Sequence, residues 1–448
     1  MPDQLDPVYH KTWGRDYPVA VRAEGVYVYD ANGRPYLDAV GGSFVVSIGH
    51  GVREVTDAMV EQARQVSFPY VGDFTTEAEL QLAREVLSMA PPGMAKVFAV
   101  SGGSEANEVA IKLARKYQLA RGRGSRWRIV GRWQSYHGAT LGAMSASGHS
   151  KRRSDFQPYL LDFPHIGPPY CYRCPWHLEY PSCQLACADD LEVAINRHGA
   201  DTIAAFICEP IGGAADGAVV PPKEYFGRIR EICDRYDILL IADEVITGFG
   251  RTGANFAVDH FGVVPDLITC GKGLGSGYAP IGAVVIHDKV VAALESTEGS
   301  LFTGYTYSGH PIACAAGTAV LQYVKRHGLV ERARREEPWL RDLMARLESH
   351  PSVGDIRGKG FLIGIELVAD KQSKRPFPVD AQFGKRVVKQ AWDRGMVIRS
   401  ESGTVGGVAG DHLLLAPPLV TSREDLAKMC AILDQALAAA EHEVIVGS

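Results

Sequence analysis

In the middle of the chain, short runs of β-branched and apolar residues alternate with stretches whose apolar positions recur every three or four residues. Lys96-Val97-Phe98-Ala99-Val100 predicts a strand, and a glycine turn then leads into a helix over about 104–117. Further continuous apolar runs predict buried strands over 127–130, 203–208, 238–242, 267–270 and 282–286, with a helix over 226–236 between two of them. Strands alternating with helices predict an α/β fold with a mostly parallel sheet covered on both faces.

From about residue 329 the texture changes to a charged helix, a strand run over 361–368, a helix near 381–394 and a last helix from Ser422. Short strands are also predicted over 26–29 and around Leu37. The expected organisation is a large α/β domain over 60–325 and a smaller α+β domain built from 1–59 and 326–448.

Composition narrows the function classes. Of 448 residues, 46% are hydrophobic and 22% charged, the balance of a globular protein rather than a disordered or fibrous one. The net charge of −5, with both signs interspersed, offers no footprint for nucleic acid or an anionic membrane. No apolar run approaches the roughly 20 residues that a membrane helix needs. Met1-Pro2-Asp3-Gln4 has neither a basic leader nor an apolar core, and nine cysteines in so long a chain suit a reducing compartment. The expectation is a soluble cytoplasmic enzyme.

Four stretches carry chemistry. Ser101-Gly102-Gly103-Ser104-Glu105-Ala106-Asn107-Glu108 follows a strand and opens a helix, where free backbone N–H groups suit an anion such as phosphate; a plain strand-to-helix turn capped by Ser104 is the alternative. Tyr136-His137-Gly138, past another strand, can present a ring face to a planar ligand, or simply bury an aromatic. The apolar run ending in Asp243-Glu244-Val245 sets acids at the carboxyl end of a buried strand, where open α/β sheets bind ligands. Gly271-Lys272-Gly273 then places a lysine after another strand, as an amine that could form a Schiff base if its pKa is lowered.

Taken in order, Gly103-Ser104-Glu105-Ala106, Tyr136-His137-Gly138, Glu209-Pro210, Asp243-Glu244-Val245 and Lys272 resemble the class III aminotransferases, which are fold-type-I pyridoxal 5′-phosphate (PLP) enzymes. Thr247 to Gly253, Thr306-Tyr307-Ser308-Gly309-His310-Pro311 and Ala416-Pro417-Pro418-Leu419 extend the resemblance from about Gly25 to the last helix. It implies that Lys272 holds PLP and then moves a proton, with Asp243 paired to the pyridinium nitrogen. It also implies that Tyr136, beside His137, stacks on one ring face and Val245 packs on the other. Gly103 and Ser104 would take the phosphate through backbone N–H groups, and Thr306 would reach it from a neighbouring subunit. A homodimer with shared active sites follows, a tetramer built from two dimers being left open. No metal is assigned to the site.

Substrate recognition falls to Arg399, whose guanidinium suits a carboxylate, and to Glu209, which would offset Arg399 when an uncharged amine donor is bound. Relatives commonly put Gly-Asp soon after this arginine. Here the glycine-rich stretch 400–409 intervenes and predicts a displaced arginine or a loop. Trp13, Phe44, Phe68 and Tyr70 are aromatic candidates for the pocket wall. Cys171, Cys174, Cys183 and Cys187 form a local departure compatible with structural zinc, a disulfide or free thiols.

The implied reaction is a ping-pong transfer from an amine, β-amino acid or ω-amino acid to a keto acid such as pyruvate. The alternative is a lyase or decarboxylase on the same scaffold, since pocket geometry selects which substrate bond reacts. A third reading, a PLP-fold binding module, is weakened by the presence of Lys272, Asp243 and Tyr136 together.

Overall fold

A computed structural model of the chain describes residues 7–297, 301 and 303–446. The start read for a leader, Met1 to Gln4, lies outside them. Near one end of the chain lie β1 (Ala20–Glu24), β2 (Tyr27–Asp30) and β3 (Pro35–Asp38). The middle contributes β4 (Met94–Val100), β5 (Arg128–Arg132), β6 (His165–Ile166), β7 (Ile203–Cys208), β8 (Leu239–Asp243), β9 (Leu267–Cys270) and β10 (Gly282–His287). After them come β11 (Val353–Lys359), β12 (Leu362–Leu367), β13 (Met396–Val397), β14 (Arg399–Val405) and β15 (Ala409–Leu415).

The middle strands form one seven-stranded sheet in the order β4-β10-β9-β8-β7-β5-β6. Only β10 runs against the rest, pairing antiparallel with both β4 and β9. That mostly parallel sheet is the predicted one, with strand ends moved by at most two residues. Its two faces are read directly from side-chain alternation. Ile207, Leu239 and Ile241 pack with Val109, Ala110 and Leu113 of the helix Gly103–Ala120. Phe206, Cys208 and Leu240 turn the other way, onto the helices Ala186–His198 and Tyr225–Tyr236. All six residues of β7 are buried, and its Ile203, Phe206 and Ile207 side chains contribute about 1.5–3 kcal/mol each.

The parallel register sets up the site. Cys208 pairs with Ala242, and Asp243 with Thr269. Glu209, Asp243 and Lys272 therefore leave three adjacent strands at the same edge, the carboxyl end at which such sheets bind ligands.

Two four-stranded sheets flank this layer. In β1-β2-β3-β13, Met396 of β13 pairs parallel with Leu37 of β3, so residues from both ends of the sequence share one sheet. The other, β11-β12-β15-β14, is antiparallel and packs under the helices Leu329–Ala345 and Arg423–Val446.

This second sheet corrects the reading of residues 400–409 as a loop. They belong to a hairpin in which Ser400 faces Leu413 and Glu401 faces His412. Gly406 and Gly407, at φ of 61° and 75°, turn the chain between the strands, a conformation that suits glycine. Arg399 is thereby fixed as the first residue of β14.

Candidate active site

Asp243 ends β8 almost fully buried, at 4% exposure, and its carboxylate is held from three directions. His137 Nδ1–H donates to Oδ2 at 2.7 Å, Asn107 Nδ2 donates to the same oxygen at 2.9 Å, and the Val245 N–H donates to Oδ1 at 3.0 Å. Asn107 is itself locked by the Thr269 hydroxyl, which donates to its Oδ1 at 2.8 Å, and by its own bond to the His137 carbonyl at 2.6 Å. A carboxylate with fixed orientation and unused lone pairs is suited to accept one further N–H from a ligand.

Lys272 stands in a tight turn after β9, at φ 39°, between Gly271 and Gly273. Its ammonium loses hydration on burial, and its pKa falls to about 8 in spite of Asp243 and Glu209; Arg399 and Arg152 push it the same way as burial. The amine lies 5.7 Å from the centre of the Phe44 ring.

The helix Gly103–Ala120 begins at this edge with no side-chain cap, because Gly102 precedes it. Its first N–H groups are therefore available to an anion, and the helix dipole favours negative charge there. Gly103 is required by space: a Cβ there would lie 2.8 Å from Cγ1 of Val245. Ser104 uses its hydroxyl to accept the Ala139 N–H at 3.1 Å, tying the helix start to the Tyr136-His137-Gly138 turn.

Gly103, Ser104, Asn107, Tyr136, His137, Glu209, Asp243, Val245 and Lys272 all line one cavity of about 190 Å³. An engineered cavity of about 150 Å³ admits benzene, so this one is of the size for a single substituted ring. The residues thus fit a phosphorylated heteroaromatic aldehyde: an amine for its carbonyl, an acid for a ring nitrogen, an aromatic for a face and an uncapped helix for the phosphate. A larger cleft of about 780 Å³, lined by Trp133, Cys171, Tyr172 and Thr404 among others, has no such convergence of acid, amine and helix end.

Other predicted residues lie elsewhere. Thr306 is exposed and does not line this cavity. Phe44 is buried near Lys272, whereas Trp13, Phe68 and Tyr70 are exposed, Phe68 stacking on His310. Glu209 and Arg399 make no hydrogen bond to each other, the sequence having set one against the other only with an uncharged amine bound. Arg399 gives Nε and Nη2 to Glu401, at 2.9 and 2.5 Å, and Nη1 to Ser43 Oγ at 2.6 Å. The hairpin supplies an acid two residues along the same strand face, and that acid reaches the guanidinium first. Glu209 instead accepts the Tyr136 N–H at 3.3 Å, and burial followed by the nearby Asp216 and Asp243 drives its pKa well upward.

Arg152 and Glu401 were not foreseen. Glu401 accepts from Arg152 Nη2 at 2.8 Å, and the Arg152 guanidinium lies 4.6 Å from the centre of the Tyr136 ring. Both residues sit on polar surface-like stretches with no local pattern to single them out. Asn107 was more legible: it lies three residues beyond Ser104 on one helix face. The four clustered cysteines are free thiols, and among the described residues no group of three or more His, Cys, Asp or Glu is set to hold a metal ion.

Fold and site together define a fold-type-I PLP-dependent transferase. The class-III aminotransferase family matches residues 10–437, and the chain belongs to it. It is 40% identical over 426 residues to an uncharacterised aminotransferase, YodT, of Bacillus subtilis, covering 95% of this chain and 96% of that one. It is 35% identical to the putrescine–pyruvate aminotransferase of Pseudomonas aeruginosa, covering 94% and 91% of the two chains. Among solved structures, an (S)-enantioselective ω-transaminase from Thermomicrobium roseum is 39% identical with a TM-score of 0.88, covering 96% and 93%. A PLP-bound amine transaminase from an uncultivated Pseudomonas species is 36% identical with a TM-score of 0.90, covering 98% and 99%. The protein is an enzyme of this family and uses PLP.

Proposed function

We propose that the enzyme moves an amino group from an amine, a β-amino acid or an ω-amino acid to a small keto acid such as pyruvate, by a ping-pong exchange in the cytoplasm. The observation that carries this reading is the convergence of Lys272, Asp243 and Tyr136 on one ring-sized cavity in a class III aminotransferase chain. The relatives include a putrescine–pyruvate aminotransferase, which supports an amine donor and a pyruvate-type acceptor.

PLP, when bound, supplies an electrophilic carbonyl carbon and a ring that withdraws electrons from the reacting substrate carbon. Lys272 Nζ moves the proton at that carbon. With a pKa of about 8 it is neutral in roughly one chain in ten at pH 7, against roughly one in three thousand at the ordinary lysine value. Asp243 would hold the ring nitrogen in its protonated form, and His137 and Asn107 stop the carboxylate from rotating away. Tyr136 and Val245 would hold the ring, and the Gly103 and Ser104 N–H groups would take the phosphate.

Thr306 would complete the phosphate site from a second copy of the chain. Its exposure beside the exposed Tyr307, whose ring meets Phe68 at 5.8 Å, supports a homodimer with shared sites. The acid end of the substrate falls to Arg399 with its neighbours, and Glu209 faces the substrate as a buried acid. We also assign the large domain to 60–325 and the small one to 1–59 with 326–448, which the β3–β13 pairing supports.

The test is Lys272→Ala in PLP-loaded protein. It should remove the visible absorbance of the lysine-bound cofactor and all amine transfer, while leaving the far-UV circular dichroism intact. Transfer that persists would overturn the assignment.

A further inference from the structure

Arg399 opens β14, and alternation along the strand sets Glu401 on the same face. The two are paired: Nε and Nη2 of Arg399 donate to Glu401 Oε1 at 2.9 and 2.5 Å, while Nη1 donates to Ser43 Oγ at 2.6 Å. A guanidinium has five N–H groups. Among the described residues Arg399 therefore keeps two unspent, one on each terminal nitrogen, and such a pair can take a carboxylate bidentately.

Ser43 ties this arm to the reacting end of the site. It belongs to a turn in which Gly41, Gly42, Ser43 and Phe44 are all left-handed, at φ of 55°, 55°, 75° and 68°. That conformation is costly for Ser43 and Phe44, which carry a Cβ. Asp38 holds the turn by accepting the N–H groups of Val40 at 3.3 Å and Gly42 at 2.8 Å, and the Phe44 ring is buried. One residue of the turn thus meets Arg399, and the ring centre of the next lies 5.7 Å from the Lys272 amine. Burial first, and then the charges of Arg399 and Arg152, lower the Lys272 pKa, which puts both guanidiniums within electrostatic reach of that amine.

Glu401 stands between those two guanidiniums. Its Oε1 also accepts Arg152 Nη2 at 2.8 Å, and its third neighbour, His149 Nε2, lies 3.9 Å from Oε2. Burial works against its charge, but Arg152 and Arg399 outweigh burial and hold the carboxyl below its ordinary pKa. Two guanidiniums and one carboxylate carry one net positive charge, which a substrate carboxylate on the unspent donors of Arg399 brings to zero. With no acid bound Arg399 is still paired, so an uncharged substrate beside it strands no partly buried cation. Were Glu401 uncharged, the same guanidiniums would hold an acid harder and penalise a neutral group.

We propose that Glu401 sets the substrate preference as a positioning residue: the standing counter-ion of Arg399, it admits uncharged substrates and moderates the grip on acids. The inference rests on the aminotransferase reading, with Arg399 as its carboxylate arm, and deepens it by naming the residue that balances the two kinds of substrate. Glu401 acts through Arg399 and needs no contact of its own with the substrate.

The test uses the PLP-loaded enzyme, first converted to its amine form by a reactive donor. Two acceptors are compared in that half-reaction, pyruvate with a carboxylate and butanal without one. Glu401→Gln keeps the shape and the accepting oxygen and removes the charge. It should raise the ratio of kcat/KM for pyruvate to kcat/KM for butanal about fivefold or more, chiefly through KM. Glu401→Thr, also uncharged and suited to a strand, should move the ratio the same way, and Glu401→Asp, which keeps the charge, should leave it within about twofold of wild type. In an Arg399→Gln background Glu401→Gln should change the ratio by less than about twofold, a dependence that a merely structural role would not show. A second readout needs no turnover: propionate, which cannot be aminated, should bind Glu401→Gln about threefold or more tighter than wild type, read from the rise of melting temperature with its concentration. A ratio that is unchanged or falls, the same rise in the Arg399→Gln background, or propionate bound no more tightly by the variant would each overturn the proposal. A wild type that aminates neither acceptor would instead count against the aminotransferase reading, with the propionate titration still deciding Glu401.

Discussion

His137 Nδ1 lies 2.7 Å from Asp243 Oδ2, with both side chains buried and 106 residues apart in sequence. This bond joins the Tyr136-His137-Gly138 turn to the end of β8, so Tyr136 and Asp243 are set relative to each other by one contact. Asn107, from the helix Gly103–Ala120, donates to the same oxygen. Three separate pieces of the chain are thereby held in register around one carboxylate.

If that carboxylate keeps the ring nitrogen protonated, Asp243→Asn should fold and still bind PLP, since the amide nearly matches the carboxylate in size. Its transfer rate should fall by two orders of magnitude or more, the range for losing a charge that matters at the reacting centre. Stopped-flow absorbance with a reactive amine would measure it. A loss of only a few-fold would mean that Asp243 is a structural acid.

Lys272 must be neutral to attack a carbonyl. Its pKa of about 8 predicts that the rate of PLP capture by the cofactor-free protein rises close to tenfold per pH unit between about pH 5.5 and 7 and levels off above 8. A rate that keeps climbing to pH 10 would show an ordinary, well-solvated lysine.

Gly103 sits where a Cβ would press on Val245 at 2.8 Å, although its backbone angles are open to any residue. Gly103→Ala should therefore weaken PLP binding about tenfold or more, and adding Val245→Ala should restore part of it by making room. Equilibrium dialysis of PLP against the single and double variants tests this. No recovery in the double variant would assign the loss to the helix start itself.

Glu244, next to Asp243, is fully buried and has a different job. Its Oε1 accepts the Val258 N–H at 2.9 Å, and its Oε2 accepts the Ala257 N–H at 2.9 Å and the Thr247 hydroxyl. Burial raises its pKa to about 7, from 4.5. A raised folded-state value means that the protonated form is favoured in the fold: that stability is complete below pH 4.5 and is lost as pH rises through 7. Glu244→Gln cannot titrate, so the wild type should lose about 2–3 kcal/mol relative to the variant between pH 4.5 and 8. Urea denaturation at both pH values measures it, and a pH-independent difference would contradict it.

The seven-stranded sheet was readable because its strands are continuous apolar runs and its helices repeat every three to four residues. The reversed direction of β10 was not, because residues 282–287 are as apolar as their parallel neighbours, and direction depends on the connection rather than on the run. Lys272, Asp243, Tyr136 and Glu209 were legible because each ends or follows a strand at a glycine, an acid or an aromatic that breaks the pattern. Arg152 was hidden in Lys151-Arg152-Arg153, where three basic residues read alike and only the fold shows which of them meets Glu401 and Tyr136. The Arg399–Glu401 pair depends on residues 400–409 forming a hairpin, which seven polar or glycine positions made look like a loop.

The most direct test is nitrogen accounting in the purified, PLP-loaded enzyme, supplied with a panel of amines and with pyruvate. The account predicts one alanine formed for each amine converted to its carbonyl product, no free ammonia or CO₂, and no product at all with Lys272→Ala. Ammonia or CO₂ released in step with amine consumption, with no alanine, would contradict it and make the protein a lyase or decarboxylase.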